Sequence, residues 1–194
     1  MARPRSKQSV VGSVRIVGGR WRGRKLPVLE RPGLRPTGDR QRETLFNWLQ
    51  AVVPDSHCLD LFAGSGALGL EALSRGAATL QAVELDREVA KQLRENVQLL
   101  AAPAKVAQVD WQDFLTADDQ RYDVVFLDPP FAQQLLPEVL LVLQPRLAEE
   151  AWVYVEQGSD QADPEWPEGW LLKKQKKSGG TVVRLFHVVS RDTC

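Results

Sequence analysis

The fold is decided by the stretch Leu59-Asp-Leu-Phe-Ala-Gly-Ser-Gly-Ala-Leu-Gly-Leu-Glu-Ala-Leu-Ser-Arg75. It begins as a short apolar strand, passes through a turn with Gly64 and Gly66, and continues as a helical pattern. A strand, a glycine turn and a helix in this order form the first half of a βαβ unit. With Gly69, the two turn glycines have the spacing G-x-G-x-x-G, which lets a backbone closely approach a nucleotide-like ligand.

Strand and helix patterns alternate on both sides of this unit. The predicted helices are 37–50, 66–75, 86–100, 111–117 and 132–143, and the predicted strands are 57–62, 79–83, 104–109, 122–127 and 151–156. Connections this short favour a parallel, doubly wound α/β sheet. The C-terminal segments 170–176 and 181–189 are separated by little more than a Gly-containing turn, so we expect them to form an antiparallel hairpin.

Acidic residues lie at or just after the ends of successive predicted strands, where a parallel sheet has its ligand crevice. Asp60, Glu84 and Asp110 take these positions. The glycine spacing also fits an NAD-dependent oxidoreductase, whose pyrophosphate would lie on the turn. Asp60 would repel a phosphate at short range. The charge therefore favours S-adenosylmethionine, which carries a sulfonium and an ammonium group and no phosphate.

Each of these residues has a specific expected role. Glu84 would accept hydrogen bonds from the ribose hydroxyls, and Asp110 would accept one from the adenine amino group. Helix N-capping is the alternative role for Asp110, and Asp86 is the expected cap of the helix 86–100. The candidate cofactor residues in this part of the chain, which include the apolar neighbours of the adenine ring, are Asp60, Phe62, Ala63, Gly64, Ser65, Gly66, Glu84, Leu85, Asp110 and Trp111.

The tetrapeptide Asp128-Pro129-Pro130-Phe131 follows the predicted strand 122–127, at the same edge of the sheet. The Asp128 carboxylate and the Pro129 carbonyl can accept hydrogen bonds from both N–H groups of a planar amine. Asp128 is also a candidate cofactor residue. The two proline rings restrict the backbone and hold these acceptors in place. Phe131 offers a face on which a base can stack. The alternative is a strand that ends in a Pro-Pro turn, with Asp128 capping the next helix.

Composition excludes several classes of protein. The 194 residues are 43% hydrophobic and include six Trp, which argues against disorder. The apolar runs are too short to span a membrane, and the N-terminus lacks the apolar region of a secretory signal. Cys58 and Cys194 indicate neither a disulfide nor a metal site, and His57 and His187 have no catalytic partner at a recognisable spacing. We expect a cytoplasmic protein without a metal.

Charge is distributed unevenly along the chain. Residues 1–42 contain twelve basic and two acidic side chains, whereas the remaining residues contain 13 basic and 23 acidic ones. This asymmetry indicates a polyanion partner at one end. The segments 13–17 and 21–28 predict two short strands with a Gly-containing turn. Such a hairpin could bind RNA through phosphate contacts and base stacking, or could simply be solvated. The candidate RNA contacts are Arg15, Arg20, Trp21, Arg22, Arg24 and Lys25.

Longer blocks of sequence extend these motifs. They cover Arg15 to Leu26, Leu34 to Leu49 and Leu59 to Arg75. Together with the Asp-Pro-Pro-Phe tetrapeptide, they resemble the RsmD family of class I S-adenosylmethionine-dependent methyltransferases, the 16S rRNA (guanine(966)-N(2))-methyltransferases. The resemblance implies a Rossmann-like fold with a seven-stranded, mostly parallel sheet and an antiparallel C-terminal hairpin, preceded by a small basic N-terminal β-hairpin.

The resemblance also implies a function. The methyl group would go to the exocyclic N2 of one guanine in 16S rRNA, within a partly assembled small ribosomal subunit. Residues 1–34 would form an RNA-contacting extension and residues 35–194 the methyltransferase domain, and we expect a monomer. In this family the Arg35-Pro-Thr37 segment lies across the methionine end of the cofactor. Thr37 is therefore a cofactor candidate, and Arg35 and Arg40 are RNA candidates.

Two other functions remain open on the sequence. A methyltransferase of the same fold could act on another planar amine or amide, such as an adenine or a glutamine side chain, because the tetrapeptide alone does not separate these substrates. The chain could also be a non-catalytic RNA-binding or assembly factor that retains the fold. The intact acidic set of Asp60, Glu84, Asp110 and Asp128 argues against that loss of activity.

Overall fold

The computed structural model describes residues 12–29 and 38–189. Short 3₁₀ turns cover Gly19–Trp21, Phe131–Gln133 and Gln144–Arg146. The strands and helices are, in chain order, β1 (Gly12–Arg15), β2 (Lys25–Val28), α1 (Asp39–Trp48), β3 (His57–Asp60), α2 (Ala67–Ser74), β4 (Thr79–Val83), α3 (Arg87–Leu100), β5 (Ala104–Ala107), α4 (Trp111–Ala117), β6 (Tyr122–Leu127), α5 (Leu136–Leu143), β7 (Leu147–Gly158), β8 (Trp170–Ser178) and β9 (Thr181–Val189).

Seven of these strands form one sheet in the order β5-β4-β3-β6-β7-β9-β8. Neighbours from β5 to β7 run parallel, whereas β9 is antiparallel to both β7 and β8. The predicted mostly parallel sheet with an antiparallel C-terminal hairpin is confirmed. The chain moves outward from β3 to β5 and then returns to the other side of β3 as β6, so the strand order reverses between β3 and β6. Ligand crevices form at such switch points.

Side chains alternate between hydrophobic layers on the two faces of the sheet. In β6, Val124 and Phe126 pack in the layer that also contains side chains of α1, α2 and α3. Val125 and Leu127 pack in the layer with α4 and α5. Because side chains in a strand alternate with a period of two, Asp128 continues on the Phe126 face, towards α1.

The differences from the predicted elements lie mainly beyond β6. The predicted helix 132–143 is divided into the 3₁₀ turn Phe131–Gln133 and α5, separated by Gln134 in the left-handed region at φ 50°. Helix α5 then begins with a proline in its first turn, a position that needs no N–H donor. Strand β7 covers Leu147–Gly158 instead of 151–156, because β9 pairs with it from Glu150 to Gly158.

The N-terminal strands β1 and β2 form the predicted antiparallel hairpin, but their connection differs. The 3₁₀ turn Gly19–Trp21 folds the chain inward, and the Trp21 N–H donates to Ser74 Oγ at 2.9 Å. The Trp21 side chain is 6% exposed and packs in the hydrophobic layer. The expectation that Trp21 stacks on an RNA base is therefore wrong for this conformation, because the ring contributes to the protein core.

None of the helices in residues 12–29 and 38–189 is both long and apolar enough to cross a membrane. Over the same ranges, no group of three or more His, Cys, Asp or Glu side chains could hold a metal ion. Cys58 is a buried free thiol whose pKa is raised to about 12, chiefly by burial, so it stays protonated and unreactive near neutral pH.

Candidate active site

The glycine turn and the tetrapeptide meet at the switch point of the sheet. Strands β3 and β6 are parallel neighbours, so their carboxyl ends lie side by side. Beyond β3 the chain stays attached to both neighbours, since the Leu61 N–H donates to the Phe126 carbonyl at 3.2 Å and the Ala63 N–H donates to the Val83 carbonyl at 2.9 Å. These contacts bring the turn at Gly64 next to the segment that starts at Asp128.

The backbone of the glycine turn requires glycine at Gly66. Its φ is 77°, and a Cβ there would lie 2.4 Å from Leu93 Cδ1. The Gly66 N–H donates to the Ala63 carbonyl at 2.7 Å, which closes the turn before α2 begins. The result is a compact turn packed against α3, with its backbone at the ligand edge of the sheet.

Asp60 lies beneath this turn and not in the crevice. Its side chain is 2% exposed, and Oδ2 accepts a hydrogen bond from the Gly69 N–H at 3.0 Å. Burial, followed by the nearby Glu84 charge, raises the pKa of Asp60 to about 7. The prediction that Asp60 faces the ligand is thus corrected. Its carboxyl group holds the first turn of α2 in place from below.

Glu84 connects the ends of β3 and β4. Its Oε2 accepts from the Gly64 N–H at 2.9 Å, and its Oε1 accepts from the Asp86 N–H at 2.7 Å. Burial raises the pKa of Glu84, and the backbone hydrogen bonds oppose that shift. A carboxylate oxygen has two lone pairs, so Glu84 retains acceptor capacity for ribose hydroxyls while it holds the turn.

The predicted adenine contacts have unequal access to the crevice. Leu85 is 61% exposed, whereas Trp111 is 7% exposed and packs against Phe62 with ring centroids 6.4 Å apart. Leu85 is therefore the better placed apolar neighbour, and the prediction of Trp111 as an open flanking ring is corrected. Asp110 caps α4 through Oδ1, which accepts from the Gln112 N–H at 2.9 Å. Asp86 caps α3 as predicted.

The tetrapeptide is held firmly at the end of β6. Pro129 is buried, and Phe131 and Asp128 are partly exposed. Gln161 Nε2 donates to the Phe131 carbonyl at 2.5 Å, which attaches the segment to the loop after β7. The N-cap positions of the following 3₁₀ turn and of α5 are Pro130 and Leu135, so Asp128 occupies neither of them.

A polar cluster beside Asp128 was missed by the sequence analysis. Leu127 pairs with Val155, so the next residues along the two strands, Asp128 and Glu156, are neighbours. Glu156 is 7% exposed, and its Oε2 accepts from the Tyr154 hydroxyl at 2.9 Å and from Gln41 Nε2 at 3.0 Å. Burial raises the pKa of Glu156. The sequence signal was a Tyr and a Glu at alternate positions of the otherwise apolar segment 151–156.

Comparisons with known proteins agree with this geometry. Residues 14–187 match the family model described as Conserved hypothetical protein 95. Ribosomal RNA small subunit methyltransferase D from Escherichia coli strain K12 is 49% identical over 178 residues, which are 90% of each chain. The Haemophilus influenzae protein of the same name is 48% identical, over 90% of this chain and 94% of its own. The solved structure of E. coli yhhF has a TM-score of 0.86 at 46% identity, covering 93% of this chain and all of that one.

The chain belongs to the RsmD family of methyltransferases. The family match begins in β1, so it includes the basic hairpin, which the structure attaches firmly to the sheet domain. Glu71 of α2 is fully buried and accepts from the Val17 N–H at 2.7 Å and the Gly18 N–H at 2.8 Å. Arg75 Nε donates to the same carboxylate at 2.8 Å. Sequence reasoning missed this attachment, which joins residues more than 50 positions apart.

The basic residues predicted to bind RNA in this RsmD-family chain differ in their surroundings. Arg15 donates through Nε to Asp39 Oδ2 at 3.0 Å, and this contact lowers the pKa of Asp39. Arg40 is exposed on α1. Thr37 and Arg35 lie outside the described residues. Arg15 is exposed although it is paired, and the other exposed cations of the hairpin are Arg20, Arg22, Arg24 and Lys25.

Proposed function

We propose that this protein transfers a methyl group from S-adenosylmethionine to the exocyclic N2 of a guanine in 16S rRNA, position 966 by family resemblance. The observation that carries the proposal is the placement of Asp128 beside the glycine turn at the switch point. A cofactor on the turn would lie next to the acceptors that hold the amine. The relatives named ribosomal RNA small subunit methyltransferase D support an rRNA substrate.

The cofactor supplies an electrophilic methyl group, and the chain supplies its binding site. The backbone from Ala63 to Gly66 would lie along the cofactor, with the Glu84 carboxylate on the ribose hydroxyls. Leu85 would cover the adenine ring, and Asp110 would accept from its amino group through Oδ2, since Oδ1 caps α4. Thr37 is proposed at the methionine end on the family resemblance alone. We propose that the reaction uses no metal ion.

The residues of the tetrapeptide would prepare the guanine. Its N2 lone pair is delocalised into the ring, so the amine is a poor nucleophile. Hydrogen bonds from the two N–H groups to the Asp128 carboxylate and the Pro129 carbonyl would draw the lone pair out of its conjugation with the ring and direct it towards the methyl group. Phe131 would stack on the base, which has to leave its own stack to enter the site. As the nitrogen bonds to the methyl carbon, the bond from that carbon to sulfur would break and the cofactor would leave as S-adenosylhomocysteine. The methylated nitrogen is then cationic and strongly acidic, so its proton would pass to water.

The exposed cations of the hairpin would contact RNA phosphates. Arg20, Arg22, Arg24 and Lys25 are exposed, and among the described residues none of them forms an ion pair with a carboxylate. We propose the partly assembled small subunit as the substrate, an RNA-contacting role for residues 1–34, and action as a monomer in the cytoplasm.

The test is the Asp128→Ala variant, compared with Asp119→Ala. The control removes an exposed carboxylate from the loop that precedes β6, at the other end of the strand from Asp128. Asp128→Ala should lower methyl transfer to 16S rRNA by about 100-fold or more, because it removes an acceptor that orients the amine. Its affinity for S-adenosylmethionine, measured by calorimetry, should stay close to that of Asp119→Ala. Equal transfer rates in the two variants would contradict the role of Asp128.

Mass mapping of methylated nucleotides in small-subunit RNA, from cells with and without the protein, identifies the target. A guanine N2-methyl group that depends on the protein is the expected result. If a methyl group on an adenine depends on the protein instead, the result would favour a methyltransferase of the same fold that acts on adenine N6. No detectable binding of S-adenosylmethionine would leave only a non-catalytic RNA-binding role.

A further inference from the structure

A cavity of about 400 Å³ opens between the start of α1 and the β8–β9 hairpin. Its walls are formed by Gly38, Arg40 and Gln41 on one side and by Lys176, Ser178 and Thr181 on the other. None of these residues belongs to the cofactor turn or to the tetrapeptide. The cavity is large enough for a phosphate group together with part of its ribose.

The cavity continues the candidate active site along one face of the sheet. Glu156 of β7 pairs with Val183 of β9, and Val183 pairs with Lys176 of β8, so these three side chains share a face. The printed register of β6 and β7 ends at Leu127 and Val155, so Asp128 extends this row by one residue beyond β6, next to Glu156. With neighbouring strands about 4.8 Å apart, three steps place Lys176 roughly 14 Å from Asp128. Gln41 lines the cavity and also donates to Glu156, so the two sites are contiguous.

The chemistry of the walls suits an anion. Arg40 and Lys176 are both cationic, and Ser178 and Thr181 add hydroxyl groups. Among the described residues, neither cation has a carboxylate within ion-pair distance. Lys176 Nζ instead donates to Thr44 Oγ1 at 3.4 Å, which directs the ammonium group towards α1. An anion in the cavity would be attracted by both cations.

We propose that this cavity binds a backbone phosphate of the RNA next to the target guanine. The inference rests on the proposed function, since it takes the base to be held at Asp128. The separation of roughly 14 Å between Asp128 and Lys176 exceeds the length of one base and leaves room for a ribose and a phosphate. The subsite would anchor the strand beside the flipped base and fix how the guanine enters.

The first experiment compares Lys176→Gln with Lys177→Gln. Lys177 carries the same charge on the same strand, but the alternation of β8 places it on the opposite face, opposite Val182. A short RNA that contains the target guanine is bound at several salt concentrations. Lys176→Gln should weaken binding about fivefold and lower the slope of log affinity against log salt by about 0.7 to 0.9. Arg40→Gln should behave alike, and Lys177→Gln should resemble the wild type.

The second experiment locates the phosphate. RNAs are prepared in which one phosphate beside the target guanine is replaced by an uncharged methylphosphonate, one position at a time. One such replacement should weaken binding to the wild type by about fivefold and leave binding to Lys176→Gln unchanged, because the variant has already lost that contact. If every replacement affects both proteins equally, or if Lys176→Gln and Lys177→Gln bind all RNAs alike, the subsite does not exist.

The carboxylate of S-adenosylmethionine is the other anion that could enter the cavity. Calorimetry with this cofactor distinguishes it from an RNA phosphate. Lys176→Gln should retain the wild-type cofactor affinity. A loss of that affinity would assign the cavity to the cofactor and overturn the proposal. Guanine methylation by the wild type is measured alongside. Its absence would reject the proposed function, whereas RNA binding in the same samples still decides whether Lys176 contacts a phosphate.

Discussion

At the scale of single residues, Asp60 shows how a buried carboxyl group can support a ligand site without touching the ligand. It lies under the glycine turn and accepts the Gly69 N–H. Burial raises its pKa to about 7, so the group changes its charge in the neutral range. A cationic cofactor above the turn would favour the ionised form. Asp60, which the sequence predicted in the crevice, therefore contributes to the shape and the electrostatic potential of the crevice floor.

Asp60 should make the unliganded protein less stable as the pH rises. Because its pKa is raised in the folded state, the native protein binds more protons than the unfolded chain between about pH 4 and pH 7. The stability that Asp60 contributes is complete below about pH 4 and is lost as the pH rises through about 7, by an amount on the order of a few kcal/mol. Asp60→Asn retains an acceptor for Gly69 and should weaken this dependence in urea unfolding experiments.

The control for this prediction is Asp119→Asn, an exposed carboxylate in the loop before β6. Its pH profile should match the wild type, including the contributions of Glu84 and Glu156, whose pKa values are also raised by burial. A profile for Asp60→Asn with the same slope as the wild type would show that Asp60 does not titrate in this range.

At the scale of elements, the hairpin and α2 fit together through backbone contacts that exclude a side chain at Gly19. The φ of Gly19 is 74°, and a Cβ there would lie 1.8 Å from the Ser74 carbonyl oxygen. Ser74 Oγ also donates to the Gly18 carbonyl at 2.6 Å. Together with Glu71, these contacts hold the basic hairpin in one orientation against the sheet domain.

Gly19→Ala should detach the hairpin, whereas Gly23→Ala should not. Gly23 also has a positive φ, of 83°, but no atom lies within 4 Å of its added Cβ. We expect Gly19→Ala to lower the free energy of unfolding by about 3 kcal/mol and Gly23→Ala by about 1 kcal/mol. Urea unfolding measures the difference, and trypsin cleavage at the hairpin arginines reports detachment. Equal losses in the two variants would mean that the contact with Ser74 is not tight.

At the scale of the whole molecule, the basic hairpin is also part of the core. Its buried side chains are Val14, Ile16, Trp21, Leu26 and Val28, all in the layer shared with α2 and α3. Deleting the hairpin would expose this apolar surface and leave the buried Glu71 carboxylate without its two backbone donors. The contribution of the hairpin to RNA binding therefore has to be measured by changing its charge and not by truncation.

The double variant Arg22→Gln, Arg24→Gln should bind small-subunit RNA less tightly than the wild type, by about tenfold. Both side chains are exposed, and each lost phosphate contact should lower the salt slope by about 0.7 to 0.9. The matched control is Lys105→Gln, Arg121→Gln, which removes the same charge from exposed positions in and before strands of the sheet. Filter binding over a range of salt measures both slopes. If the two pairs lower the slope equally, the hairpin is not the RNA-contacting surface.

The succession of strands and helices along the chain and the positions of the glycine turn and the tetrapeptide could be predicted from the sequence, because each depends on local periodicity and on turn residues a few positions apart. Strand β4, helix α4 and strands β6 and β9 were predicted with their observed bounds. The family blocks identified the methyltransferase in the same way, since they are contiguous in the chain.

Only the tertiary structure decided which of these residues are buried and which distant residues they meet. Trp21 is in the core because the turn before it fits against Ser74, and Asp60 is under the glycine turn because α2 folds over it. Gln41 reaches Glu156 across 115 positions of the chain. Burial and pairing of this kind depend on strand register and on the packing of helices over the sheet, which local patterns do not encode. The sequence therefore determined which chemical groups the site contains. Packing in the tertiary structure determined which of them are buried and which distant residues they contact.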